Sequence, residues 1–103
     1  MIFNYGVSIM SVFIVGADDL GNIPSNLTKA GVKSMKHFKG RKRVSEDIQI
    51  PSNTDLILVF SDYISHNIAE IIKRKAKEAS LPVVFSKRSW SHLQEKIQPF
   101  IVN

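Results

Sequence analysis

Asp62, Tyr63, Ser65, His66 and Asn67 fall within the six positions from 62 to 67. A carboxylate, a phenol, a hydroxyl, an imidazole and an amide are thus gathered in one short stretch. A neutral imidazole serves as a general base, a metal ligand or a haem ligand. A second group lies at Lys87-Arg88-Ser89-Trp90. A guanidinium forks onto carboxylate or phosphate, and the flat faces of Trp90 and Tyr63 suit stacking. Gly16 and Gly21 form a third group, in Gly16-Ala17-Asp18-Asp19-Leu20-Gly21-Asn22-Ile23-Pro24. Backbone amides in a glycine-bearing strand-to-helix loop hold anions. A planar ligand with acidic arms suits Tyr63, Lys87, Arg88 and Trp90: haem with its propionates, or a nucleotide.

Each group has a structural alternative. His66 caps a loop, Trp90 anchors the last helix, and the glycines serve a tight turn. The glycine loop lacks the G-x-G-x-x-G dinucleotide spacing, and no Lys-Ser/Thr follows Gly21 as in a P-loop. His37 and His92 are weaker candidates than His66. His37 ends an edge strand, and His92 lies in the first turn of the last helix, where the dipole disfavours protonation.

The elements that position these groups follow from pattern. Leu56 to Phe60 is a continuous apolar run, the mark of a strand buried on both faces. A helical pattern follows from Ile68 to about Ala79, with Ile68, Ile72, Ala76 and Ala79 on one face and Ile71 beside them. Asn67 with Glu70 has capping-box spacing, and Ser65 competes as the cap. Earlier in the chain, Ser11–Val15 reads as a strand. A short helix opens near Pro24 and stops at Gly31. Val32–Phe38 alternates imperfectly and reads as a strand nearer the sheet edge. Ile48-Gln49-Ile50 suggests a short strand inside a loop excursion. Leu81–Phe85 is the last strand, and the last helix spans Ser91–Ile97 before Pro99. Right-handed crossovers then give a three-layer α/β/α sandwich of about four parallel strands in the order 2-1-3-4. Ligands in such folds bind beyond the carboxyl ends of the strands, at the switch point between the first and third. The loops Gly16–Ile23, Ser61–Asn67 and Ser86–Trp90 converge there.

Composition sets limits. A chain of 103 residues suits one domain, and 44% apolar residues suit a globular one. The absence of cysteine excludes disulfides, thiolate catalysis and thiolate ligation. No apolar run approaches the roughly 20 residues of a membrane span. The reading predicts a soluble, cytoplasmic protein, with residues 1–9 a leader or appended segment and residues 10–103 the domain. The net charge of +5 is compatible with an anionic partner or simply with a solvated surface. Lys36, Lys39, Arg41, Lys42 and Arg43 make a dense basic run. It has little aromatic interleaving for stacking on bases, so nucleic acid is not the expected partner. Arg41 can instead fold over the site as an anion partner.

The glycine loop, Gly40-Arg41-Lys42, Thr54-Asp55-Leu56, Asp62-Tyr63-Ile64-Ser65-His66-Asn67 and Lys87-Arg88-Ser89-Trp90 together resemble the bacterial family catalogued as DUF2325. The likeness runs from Met10 to about Phe100, nearly the whole chain. It rests on the order and spacing of these stretches. The resemblance implies a small Rossmann-like domain and points to haem as a ligand.

The expectation is therefore a non-catalytic ligand-binding domain with haem as the leading ligand. His66 is the axial or distal group, Arg88 and Arg41 are the anion partners, and Tyr63 and Trp90 are the walls. Asp62, Asn67, Gly16 and Gly21 complete the candidate site. A small basic-edged chain of this kind is expected to form a homodimer or higher homo-oligomer. One alternative is a receiver-like phosphoryl and Mg²⁺ site, with Asp18, Asp19 and Asp62 as acids and Ser86 and Lys87 nearby. Another is a nucleic-acid-binding module using the basic run.

Overall fold

A computed structural model describes residues 10–40 and 48–100. The chain runs β1 (Met10–Val15), α1 (Ile23–Lys29), β2 (Val32–Phe38), β3 (Leu56–Phe60), α2 (His66–Glu78), β4 (Val83–Ser86) and α3 (Trp90–Ile97). Short 3-10 turns follow β3 and α3. The strands form one four-stranded sheet in the order β2-β1-β3-β4, parallel throughout. This is the architecture and strand order that the sequence predicts.

Burial explains the layers. Every residue of β3 is buried, because side chains on both of its faces meet helices. Val12, Ile14, Leu56, Leu58 and Phe60 pack with Ile23 and Leu27 of α1 and Leu93 and Ile97 of α3. The alternate residues Phe13, Val15, Ile57 and Val59 pack with Ile68, Ile71, Ile72 and Ala76 of α2. The period-2 alternation of the strands thus sorts one run of apolar residues into two cores. β2 carries exposed Lys33, Ser34 and Lys36 and forms one edge.

Three expectations need correction. Ile48-Gln49-Ile50 is not a strand. Ile48 is a buried plug against the α2 core, and its carbonyl accepts from Lys75 Nζ at 2.6 Å. Ala79 is exposed, since it is the C-cap where α2 ends and its neighbours no longer face the sheet. The cap of α2 is Ser65, whose hydroxyl accepts from Ile68 N–H at 3.1 Å, and not Asn67 with Glu70. Gly31 ends α1 as expected, at φ +111° directly after the C-cap Ala30. No helix among the described residues is long and apolar enough to cross a membrane.

Candidate functional site

The carboxyl ends of all four strands meet around one open cleft of about 240 Å³. Ala17, Asp18 and Asp19 follow β1, Lys39 follows β2, Tyr63 follows β3 and Arg88 follows β4. The order β2-β1-β3-β4 makes this the switch point, because β1 and β3 are adjacent while their connections leave in opposite directions.

Local hydrogen bonding fixes each wall. Gly16 N–H donates to the Phe38 carbonyl at 2.8 Å, tying the end of β1 to the end of β2. His37 Nε2 lies 3.0 Å from the Gly16 carbonyl. A carbonyl only accepts, so His37 carries a proton on Nε2 in this contact. Gly16 has φ +104°, and a Cβ there would stand 2.9 Å from the Phe60 carbonyl oxygen. Glycine is required on both counts. Ala17 also has a positive φ, +73°, yet its methyl is buried in the α1/α3 core. Asp19 Oδ1 accepts from Gly21 N–H at 2.9 Å and so closes the turn that leads to α1.

Arg88 stands at the apex of a three-residue turn, where Ser89 N–H donates to the Lys87 carbonyl at 2.8 Å. Buried Ser86 donates its hydroxyl to the same carbonyl at 2.9 Å. The turn is thus pinned from the strand side, and the exposed guanidinium extends over the cleft. Arg88 Nε donates to the Tyr63 hydroxyl at 3.4 Å, and its Cζ lies 5.8 Å from the Tyr63 ring centroid. The Tyr63 hydroxyl, and after it the nearby charge of Asp19, raises the Arg88 pKa above its ordinary value. A Cβ on Gly21 would lie 3.5 Å from Arg88 Nη1, so the glycine turn forms the surface beneath the guanidinium. Tyr63 is 47% exposed, the exposed large apolar side chain of the described residues.

Of the residues singled out in the sequence, the fold brings together Arg88, Tyr63, Gly21 and, behind the cleft, Gly16. His66, Asn67, Asp62 and Trp90 are not in the cleft lining, whereas Asp18 and Asp19 are. His66 is the first residue of α2, its side chain 89% exposed and 4.0 Å from Glu70. Asn67 is exposed on the same turn, and Asp62 is exposed in the 3-10 turn. Trp90 opens α3 and packs against the core that holds Leu93 and Ile97, as an anchor and not a wall. Arg41, with Lys42 and Arg43, lies outside the described residues. Sequence reasoning left Lys39 out of the site, although it follows β2 just as Arg88 follows β4. Asp18 and Asp19, read in the sequence as acids for Mg²⁺ or as partners of Arg88, stand outside the ligand set expected there. Among the described residues no group of three or more His, Asp or Glu is placed to hold a metal ion.

Haem does not fit these residues as an enclosed ligand. The cleft lies below the roughly 300–1,000 Å³ of sites that bury drug-sized ligands. The imidazole expected to meet the iron is also not in its lining. The cations fit a carboxylate or phosphate arm.

The family described as "Uncharacterized protein conserved in bacteria (DUF2325)" matches residues 11–100. The chain belongs to this family. No curated protein and no solved structure matches it.

Proposed function

We propose that this domain binds, without turning over, a small planar ligand with an anionic arm in the strand-end cleft. The observation that carries the reading is the Arg88–Tyr63 pair facing the cleft together with Lys39. A guanidinium at a pinned turn supplies a fork for an oxyanion. A half-exposed phenol beside it supplies a flat face. Neither is needed by the core, since both side chains are exposed.

Haem is one member of this ligand class and is the member to which the family resemblance points. Arg88 and Lys39 would reach only its propionates, with the macrocycle left outside the cleft, and His66, the axial candidate of the sequence reading, stands outside the lining. The residues support the anionic arm better than they support the iron. A receiver-like site on Asp62 has less support, since Ser86, its hydroxyl candidate, is turned into the Lys87 carbonyl. Basic-loop binding of nucleic acid, and pairing of chains into a homodimer, rest on charge and size alone.

The test is titration of the full chain with haemin, followed by its Soret band, and with 3-phenylpropionate, L-phenylalanine and phenethylamine, followed by calorimetry. Saturation at one site by at least one carboxylate, weakened by Arg88→Ala, is expected. The reading is overturned if no carboxylate saturates the protein or if the Arg88 variant binds as the parent does.

A further inference from the structure

The two edges of the sheet are finished differently. β4 is four residues long, and just before it the Pro82 carbonyl accepts from Ile57 N–H of β3 at 3.0 Å. Backbone groups alternate in direction along a strand, so those of Val84 also face β3 and those of Phe85 face outward. The outward Phe85 carbonyl is taken by Lys96 Nζ of α3 at 2.8 Å. Lys73 Nζ of α2 stands 5.4 Å from the Phe85 ring centroid. The β4 edge is thus short and capped.

β2 is seven residues long and has β1 as its single sheet neighbour among the described residues. The Phe38 carbonyl faces β1, where it accepts from Gly16 N–H. By the same alternation, the backbone groups of Met35 and His37 face away from the sheet. Among the described residues, no hydrogen bond is made to these two N–H and two C=O groups. The pairs repeat about 6.6 Å apart, the two-residue rise that an added strand matches. Lys33, Ser34 and Lys36 are exposed along the same strand, which carries no acid.

We infer that the β2 edge is a docking surface for an extended acidic segment of a partner protein, added to the sheet as a fifth strand. Met35 and His37 supply the main-chain hydrogen bonds, and Lys33 and Lys36 select the charge. Lysine on an edge strand discourages pairing with a second copy, since two β2 edges would bring two lysines from each chain together. An acidic strand meets the same lysines favourably, because opposite charges on neighbouring strands attract. At β4 a lysine occupies the outward acceptor itself, whereas at β2 the lysines flank acceptors that stay open.

The experiment follows a labelled hexapeptide of alternating glutamate and valine on the full chain by fluorescence anisotropy. Beside it are the same peptide with lysine for glutamate, its fully N-methylated form, and a single-stranded oligodeoxynucleotide. The acidic peptide is expected to saturate one site, and the lysine and N-methylated peptides to bind at least tenfold more weakly. The double variant Lys33→Glu, Lys36→Glu changes only exposed side chains. It is expected to keep the parent's melting temperature and to lose at least tenfold in affinity for the acidic peptide. The proposal is overturned if the acidic peptide does not saturate the protein or if the double variant binds it as the parent does. It is equally overturned if the N-methylated peptide or the oligonucleotide binds as tightly, since charge alone then accounts for the surface. Sedimentation of the parent as a dimer that the acidic peptide converts to monomer would overturn it too, by assigning the edge to a second copy.

Discussion

Arg88 and Tyr63 hold each other in two ways at once. The guanidinium donates through Nε to the phenol oxygen at 3.4 Å while its carbon lies 5.8 Å from the ring centroid. The two residues are 25 positions apart in sequence. They meet because β3 and β4 are adjacent and parallel, which sets the turns after Phe60 and Ser86 side by side.

The first prediction is that Arg88→Ala and Arg88→Lys both weaken ligand binding and leave the apo-protein's melting temperature almost unchanged. The guanidinium is exposed, and exposed polar contacts contribute little to folding. Lysine restores charge but not the planar fork. Melting curves beside titrations check this. A large fall in melting temperature with unchanged affinity would assign Arg88 to the scaffold.

The second prediction concerns pH. The hydrogen bond that Arg88 donates to the Tyr63 hydroxyl raises the Arg88 pKa above its ordinary value. A raised cation keeps its full contribution below its unfolded pKa and loses it only as pH rises through the folded one. For arginine that window lies far above neutrality, so affinity carried by Arg88 should be flat from about pH 6 to pH 9. A step in affinity within that range would instead point to a histidine in the site. Titrations at several pH values distinguish the two.

The third prediction orders three glycine-to-alanine changes. Gly31 has φ +111° with nothing within 4 Å of a built Cβ. Gly31→Ala should therefore cost only the left-handed backbone penalty, about 1–2 kcal/mol. Gly40 has φ +79°, and its Cβ would stand 2.9 Å from Ile64 Cγ2, a side-chain end that can shift. Gly16→Ala would meet the Phe60 carbonyl, which is backbone in the central strand and cannot. Denaturant unfolding should rank the losses Gly16, then Gly40, then Gly31. Gly16→Ala proving the mildest of the three would refute the strand-end packing described for it.

The strand order and the place of the cleft were legible because the strong signals are local. Leu56–Phe60 is apolar at every position, and strand-end rules do the rest. His66 was misplaced because two adjacent caps compete. Once Ser65 takes the Ile68 N–H, the helix begins at His66 and the imidazole is left exposed on its first turn. Trp90 was readable in principle, since Trp90, Leu93 and Ile97 have the i, i+3, i+7 spacing of a core-facing stripe. Lys39 was hidden by its neighbours, because a basic run draws attention to its charge and away from the place of one member just after β2. The pairing of Arg88 with Tyr63 depends on side-chain reach across two turns, which no sequence period encodes.

The last prediction concerns Ile48. Its side chain is 1% exposed and packs among Phe13, Val15, Ile57 and the apolar face of α2. Its carbonyl accepts from Lys75 Nζ at 2.6 Å, so the same residue is held by its side chain and by its backbone. This makes Ile48 one point at which the described part of the segment between β2 and β3 is held against the α2 core. Truncating a buried isoleucine to alanine costs about 2–5 kcal/mol, through lost transfer energy and the cavity left behind. Gln49 is exposed, and Gln49→Ala should stay within about 0.5 kcal/mol of the parent. Lys75→Met removes the ammonium that meets the Ile48 carbonyl but keeps an apolar stem, so a loss smaller than that of Ile48→Ala is expected. Urea unfolding of the three variants gives the comparison. If Ile48→Ala cost no more than Gln49→Ala, Ile48 would not be part of the α2 core.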